Sequence, residues 1–164
     1  MKNLELFRKL FNPLPGNHYL QVSTEIDEVT MLFSQMMQSV EGKLNLALYN
    51  EETLKQKIEL LSTNIQQIKD LKHPFRATPR DHDIVLFKDI FHIHESKDML
   101  LKLAYHTLAN AANIIIMEKK GVMDVEAVKE MLQEYEFRAP NEIEIVDGYD
   151  LVMAKKMHMW GNGL

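Results

Sequence analysis

The sequence has no cysteine and only 6 glycines among its 164 residues. Without cysteine, disulfide bonds and thiolate chemistry are both excluded. No apolar run approaches the ~20 residues that a membrane-spanning helix needs. The N-terminal segment also lacks the uninterrupted apolar stretch of a signal peptide, because Glu5, Arg8 and Lys9 interrupt it. We therefore expect a cytoplasmic protein with no membrane segment.

The sequence has fewer basic than acidic residues, with 19 Lys and Arg against 24 Asp and Glu, and its formal net charge is −5. This balance argues against nucleic acid as a partner. A local basic stretch near residues 69–80 is more typical of a solvated surface. The His92-x-His94 pattern followed by Glu95 suggests metal ligands, but no other ligand set has diagnostic spacing, so no metal site is predicted.

Apolar runs alternate with amphipathic segments along most of the chain. Strands are predicted at residues 19–23, 44–50, 83–89, 113–120, 142–146 and 149–156, with a short edge strand inside 73–82. Helices are predicted from apolar residues at helical spacing after Thr24, Asn50, Ser96 and Asp124. The helical stripe after Asn50 extends to Ile65 and Ile68. Between the third and fourth strands we expect no helix, or a single turn.

Near-continuous apolar strands that alternate with helices predict a parallel sheet covered on both faces. Asp147-Gly148 between two alternating runs predicts a hairpin that adds an antiparallel strand. The expected fold class is α/β: a three-layer sandwich with a seven-stranded, mostly parallel sheet and a C-terminal antiparallel hairpin.

One domain is predicted over residues 18–158. Residues 1–17 form an amphipathic helix and a Pro/Gly linker, and residues 159–164 form a tail. The apolar side of the first helix, and the tail around Trp160, predict either a homodimer contact or docking on the chain's own domain.

The order of the elements resembles that of the class I S-adenosylmethionine-dependent methyltransferases. The resemblance covers residues 18–158 and is carried by DHDIVLFKDIFHIHESKDMLLKLAYHTLANAANIIIMEKKG and by EMLQEYEFRAPNEIEIVDGYDLVMAKK. It implies a Rossmann-like fold, S-adenosylmethionine as the cofactor, and methyl transfer to an unknown acceptor. The match is one of order and pattern, and fold supports function only weakly.

In that family the cofactor contacts cluster after the first, second and fourth strands. After the first strand, members usually carry an acidic residue and then Gly-x-Gly, because glycine lets the backbone approach the cofactor closely. This sequence has Ser23, Thr24 and Glu25 there, so the glycine motif is degenerate. The alternative interpretation of this turn is a simple helix cap.

The resemblance implies further site residues after the second and fourth strands. A carboxylate after the second strand accepts hydrogen bonds from ribose hydroxyls, and the fourth-strand loop faces adenosine and substrate. The implied cofactor residues are Asn50, Glu51, Glu52, Lys88, Asp89 and Phe91. His92 or His94 is the candidate general base, should the acceptor need one.

Two functions are left open by these residues. The first is a small methyltransferase with an altered cofactor turn. The second is a pseudo-enzyme of the same fold that has lost the cofactor site and serves as a binding or dimerisation module. The missing glycines favour the second, whereas the acids after the second strand and the polar fourth-strand loop favour the first.

Overall fold

Seven strands form one mixed sheet in the computed structural model, which describes residues 4–49 and 63–157. The strands are β1 His18–Ser23, β2 Lys43–Leu48, β3 Thr63–Gln67, β4 His82–Lys88, β5 Leu108–Lys119, β6 Phe137–Glu142 and β7 Tyr149–Lys156. The helices of the described residues are α1 Leu4–Arg8, α2 Glu28–Ser39, α3 Lys97–Thr107 and α4 Val125–Glu134. No helix in these ranges is long and apolar enough to cross a bilayer.

The strand order is β3-β2-β1-β4-β5-β7-β6. The first five strands in this order are parallel, and β7 runs antiparallel to both of its neighbours. Most of β4 and the second half of β5 are buried on both faces, which explains why these segments are near-continuous apolar runs. The predicted three-layer α/β fold is confirmed.

Each face of the sheet packs against its own helices. On one face, Tyr19 of β1 and Leu86 of β4 pack with Phe33 of α2. On the other face, Val85 and Ile114 pack with Leu101 of α3 and Leu132 of α4. Alternate residues of one strand therefore serve two cores, as the two-residue repeat of a strand requires.

The first helix docks on the chain's own domain. Phe7 is fully buried, and its ring lies 5.0 Å from Phe11 and 6.0 Å from Phe33, centroid to centroid. The apolar side of α1 is thus already covered by α2 and the sheet. Of the two interpretations of this helix, docking on its own domain agrees with the structure.

The third strand is β3, and the prediction of a strand inside 73–82 is wrong. Residues 73–81 form neither a helix nor a strand, as Pro74 and Pro79 favour. The prediction of a helix that continues to Ile65 and Ile68 is also wrong, because residues 63–67 form a strand that pairs in parallel with β2. Ile65 packs with Ile26 and Leu46 of neighbouring elements, so tertiary pairing overrides the local spacing. The earlier part of that predicted helix lies outside the described residues.

The terminal strand pair is antiparallel, as predicted, but β6 begins earlier than expected. It spans Phe137–Glu142, whereas most of 143–148 forms the connection to β7. Phe137 is buried against the Tyr105 ring at 5.3 Å, which fixes the start of the strand in the core. Gly148 has φ +80 in the turn, consistent with the Asp-Gly signal.

Buried His82, at the amino end of β4, makes the fold sensitive to acid. Its side chain is 1% exposed, and its Nε2 accepts a hydrogen bond from Asn45 Nδ2 at 2.7 Å. Burial lowers the pKa of His82 to about 4, despite the opposing charge of Asp81. Because this pKa lies below that of an unfolded histidine, the stabilisation is complete above about pH 6.5 and is lost as the pH falls towards 4.

We expect His82→Gln to flatten this pH dependence. Between about pH 7.5 and about pH 4.5, the free energy of unfolding of the wild type should fall by about 2.5 kcal/mol more than that of the variant. Urea unfolding at both pH values measures the difference, with exposed His106→Gln as the matched control. Equal losses in the wild type and in His82→Gln would contradict the prediction.

Candidate active site

The carboxyl ends of β1, β2 and β4 meet at one edge of the sheet. Ser23 at the end of β1 pairs in register with Leu48 of β2 and with Lys88 of β4. From β1 the chain adds β2 and β3 on one side of the sheet and then continues with β4 and β5 on the other side. The edge at the ends of β1 and β4 is therefore the topological switch point. Open α/β sheets bind ligands in the crevice outside such a point.

The turn after β1 is held by its own side chains. Ser23 is buried, and its hydroxyl donates to the Glu25 carbonyl at 2.9 Å. The same hydroxyl accepts from Gln21 Nε2 at 3.2 Å. Thr24 is half-buried and Glu25 is exposed. Of the three predicted turn residues, Thr24 and Glu25 are therefore the ones that a ligand can reach.

The helix that follows this turn is capped by Asp27, not by Thr24. Asp27 Oδ1 accepts from the Val29 and Thr30 amides at 3.0 and 3.2 Å, and Thr30 Oγ1 accepts from the Asp27 amide at 3.1 Å. This reciprocal pair is a capping box. The prediction of a helix directly after Thr24 is therefore wrong in its start, because the helix begins at Glu28, about one turn later.

Buried Lys88 joins two strand ends and the start of α2. Its Nζ lies 2.6 Å from Asp27 Oδ2 and 2.9 Å from Asp89 Oδ2. Tyr149, the first residue of β7, places its hydroxyl 3.3 Å from Asp89 Oδ2, and the Lys88 Nζ lies 4.8 Å from the centre of its ring. We call these four residues the Lys88 cluster.

The Lys88 cluster carries one positive and two negative side chains. Burial alone would lower the pKa of Lys88, but the hydrogen bond and charge of Asp27, together with Asp89, outweigh it and raise that pKa. Lys88 therefore stays protonated, and the cluster has one excess negative charge. Such a site favours a cationic ligand.

Asp89 presents an acceptor that the rest of the described chain leaves unused. Its Oδ1 is buried and has no hydrogen-bond partner within residues 4–49 and 63–157. The backbone of Asp89 has φ +54, and its amide donates to the Met117 carbonyl at 2.9 Å. Buried polar atoms are normally paired, so this oxygen is available to a ligand that donates a hydrogen bond.

The side chains of His92 and Glu118 lie against each other beside the loop after β4. His92 Nδ1 lies 2.5 Å from Glu118 Oε2, and the His92 amide donates to Glu118 Oε1 at 3.2 Å. Glu118 is 1% exposed at the end of β5, whereas the His92 side chain is 38% exposed. His92 Nε2 has no hydrogen-bond partner among the described residues. The carboxylate thus fixes the imidazole through one nitrogen and leaves the other towards solvent.

The pKa of Glu118 is raised above its ordinary value by its surroundings. Burial raises the pKa of Glu118, and the facing imidazole partly offsets that increase. A buried carboxylate of this kind gains most when its partner carries a positive charge. The pair is therefore arranged to stabilise an imidazolium at His92.

His94 has a different environment from His92. It is buried, its Nδ1 accepts from the Ser96 amide at 2.9 Å, and its Nε2 lies 3.2 Å from the His73 carbonyl. The ring also packs edge-on against Tyr49 at 5.5 Å. Because both nitrogens are engaged, the geometry gives His94 a structural role, and its role as a base stays a prediction without support.

Phe91 forms a wall of a small pocket at the same edge. The pocket has a volume of about 220 Å³ and lies between the loop after β4, the end of β5 and the start of α4. His92 and Glu118 line it as well. Phe91 is nearly fully buried, and its ring lies 6.2 Å from that of Phe87. The structure therefore brings Phe91, His92 and Asp89 to one loop, as the sequence predicts.

The cofactor residues predicted after the second strand, Asn50, Glu51 and Glu52, lie outside the described residues. The preceding Tyr49 is nearly buried, and its hydroxyl donates to the His73 carbonyl at 2.7 Å. Their contact with ribose hydroxyls stays a prediction.

Solved methyltransferase structures share this architecture, whereas the sequence matches no protein-family model and no curated protein. The SAM-dependent methyltransferase from Aquifex aeolicus superposes with a TM-score of 0.77 at 19% identity, over 93% of this chain and 89% of that one. The corresponding values for the S-adenosylmethionine-dependent methyltransferase from Mesorhizobium loti are 0.72, 10%, 92% and 96%. The chain has the class I methyltransferase fold.

A longer protein with this methyltransferase fold is phosphoethanolamine N-methyltransferase 2 from Haemonchus contortus, solved with S-adenosyl-L-methionine. It superposes with a TM-score of 0.72 at 10% identity, over 96% of this chain and 52% of that one. The present chain thus spans about half of that protein. At these identities the comparison establishes the fold.

Three residues of the site were not predicted as site residues: Asp27, Glu118 and Tyr149. The sequence does contain a signal for Glu118, because this residue is the first charged residue of β5 and follows an apolar run. Lys88 follows an apolar run at the end of β4 in the same way. Nothing in the local sequence around Tyr149 indicates that it reaches Asp89, 60 residues earlier.

Proposed function

We propose that this methyltransferase-fold chain binds S-adenosylmethionine at the carboxyl edge of its sheet and transfers a methyl group to a small acceptor deprotonated by His92. The observation that carries the proposal is the His92–Glu118 pair, with Nδ1 and Oε2 at 2.5 Å, beside a pocket at that edge. An oriented imidazole is a typical general base.

The residues at the edge fit the cofactor's charge. The Lys88 cluster has one excess negative charge, and the unused Asp89 Oδ1 accepts a hydrogen bond. S-adenosylmethionine has an ammonium group and a sulfonium, and a carboxylate suits both. The proposed contact residues are Thr24, Glu25, Lys88, Asp89 and Phe91, with Asn50, Glu51 and Glu52 for the ribose. Buried Ser23 is proposed to hold the turn that presents Thr24 and Glu25.

When bound, S-adenosylmethionine supplies an activated methyl group: the methyl–sulfur bond breaks with its electron pair left on sulfur, while the acceptor atom forms the new bond. The chain's own residues align the acceptor and remove its proton. His92 Nε2 takes that proton. Glu118 stabilises the resulting imidazolium through Nδ1.

Calorimetric titration with S-adenosylmethionine and with S-adenosylhomocysteine tests the cofactor site. We expect micromolar binding in the wild type, and at least tenfold weaker binding in Asp89→Asn, because the variant loses the charge while Asn still tolerates the left-handed backbone. Asp81→Asn, at the opposite edge of the sheet, is the matched control and should bind as the wild type does.

Two other outcomes of these titrations would change the conclusion about the cofactor site. No heat at millimolar ligand would overturn the proposal and leave the pseudo-enzyme. Binding gained only in Thr24→Gly would show that the side chains of the β1 turn obstruct the cofactor.

Three predictions extend this proposal. A homodimer through the tail remains part of it, since the apolar side of α1 is already buried. We also propose an acceptor other than nucleic acid, on the basis of the net charge of −5. A cytoplasmic location is proposed as the default for a sequence with no cysteine and no uninterrupted apolar N-terminal stretch.

A further inference from the structure

The pocket beside His92 has mostly apolar walls. Phe91 forms one wall from the loop after β4, and Met123, Val128 and Met131 form the other from the start of α4. Val128 is 8% exposed, and Phe91 is 3% exposed. Apolar walls of this kind favour the binding of an apolar group, because binding removes that group from water.

One end of the pocket is polar and rigid. The His92 ring is fixed by Glu118, and the loop that carries it is held by Lys97, whose Nζ donates to the His92 and His94 carbonyls at 3.3 and 3.1 Å. Imidazole and backbone are thus held independently. A ligand in this pocket meets His92 Nε2 as a proton acceptor at a fixed position. The two carboxylates that also line the pocket are already engaged, Glu118 by His92 and Asp124 by the Ala127 amide.

The volume limits the ligand to about one ring. An apolar cavity of about 150 Å³ binds benzene, so a pocket of 220 Å³ has room for one ring with small substituents. A fused polycycle or a polymer would have to remain outside.

The acceptor also limits the ligand's functional group. In general an imidazole accepts a proton far more readily from an aromatic hydroxyl, whose pKa is about 10, than from an aliphatic hydroxyl, whose pKa is near that of water at about 16. A hydroxyl on an aromatic ring therefore matches both the walls and the base.

We propose that this pocket binds a small phenol, with its ring between Phe91 and Met131 and its hydroxyl on His92, and that this phenol is the methyl acceptor. The acceptor role rests on the proposed function. The phenol's proton passes to His92 Nε2, and its oxygen forms the bond to the methyl carbon as the methyl–sulfur bond breaks.

Ligand-observed NMR with p-cresol tests the pocket without any cofactor. We expect a dissociation constant of about 1 mM for so small a ligand. Ala127→Phe should weaken binding at least tenfold because it fills the pocket, whereas Gln133→Phe on the exposed side of α4 should not. 4-Methylcyclohexanol, with the same size and a non-acidic hydroxyl, should bind at least threefold more weakly.

Incubation with S-adenosylmethionine should then yield 4-methylanisole, detected by mass spectrometry. If p-cresol fails to bind, or binds equally to Ala127→Phe, the inference is overturned while the cofactor titration still decides the proposed function. If p-cresol binds and S-adenosylmethionine gives no heat, the acceptor role is overturned together with the proposed function. S-adenosylmethionine binding with p-cresol bound but not methylated overturns the acceptor role alone.

Discussion

His92→Ala should lower kcat for methylation of p-cresol about a thousandfold, within the range that a general base contributes. The KM for p-cresol should change little, because the apolar walls supply most of the binding. The expectation follows from the position of His92, which is fixed through Nδ1 by a buried carboxylate and exposes Nε2 at the pocket. Initial rates over a range of p-cresol concentrations separate kcat from KM.

Chemical rescue distinguishes a base from a structural histidine. Added imidazole should restore part of the activity of His92→Ala, since it can occupy the space left by the ring and accept the proton. His106→Ala, an exposed histidine on α3, should keep full activity and show no response to imidazole. A His92→Ala variant that retains wild-type kcat would contradict the role of His92.

Glu118 acts through His92 and is a positioning residue. In Glu118→Gln the acidic limb of the pH–rate profile should move to lower pH, because the imidazolium loses the carboxylate that stabilises it. A purely structural role for Glu118 would lower the amount of folded enzyme and leave the profile where it was.

Lys88→Met should lower the free energy of unfolding by about 3 kcal/mol, the lower end of the cost of removing one member of a buried ion pair. The substitution leaves the carboxylates of Asp27 and Asp89 in a mostly buried site without their shared cation. Methionine is close to lysine in length, so cavity formation contributes little. Urea unfolding near neutral pH measures the change.

Lys102→Met provides the matched control for Lys88→Met. Lys102 is exposed on α3, and its substitution should change stability by less than about 0.5 kcal/mol. A loss below about 0.5 kcal/mol near neutral pH would show that the Lys88 cluster does not hold this edge together.

Local pattern was sufficient for the elements that are buried on both sides or strongly amphipathic. The apolar run of β4 and the Asp124 cap of α4 were predicted close to their observed bounds, whereas β5 begins at Leu108 and not at residue 113. β3 was missed because its sequence, TNIQQ, has a single apolar residue, as expected for an edge strand. Such a strand is defined by its neighbour, β2, and not by its own composition.

The site was predictable where it depends on strand ends and unpredictable where it depends on register. Lys88, Asp89 and His92 follow directly from the end of β4. The partners Glu118 and Asp27 approach them only because β4 pairs with β5 at Lys88 and Met117, and because α2 starts at Glu28. A shift of one residue in that pairing would turn Glu118 to the other face of the sheet.

The position of β7 in the sheet bears on how the chain folds. β7 is the last of the seven strands in the sequence, yet it lies between β5 and β6. During synthesis, β6 therefore leaves the ribosome without a strand to pair with, and the edge of β5 stays open until β7 arrives. Tyr149, which reaches back to Asp89, arrives with β7. The native sheet, and the Lys88 cluster with it, is thus completed in a late step governed by contacts of long sequence separation.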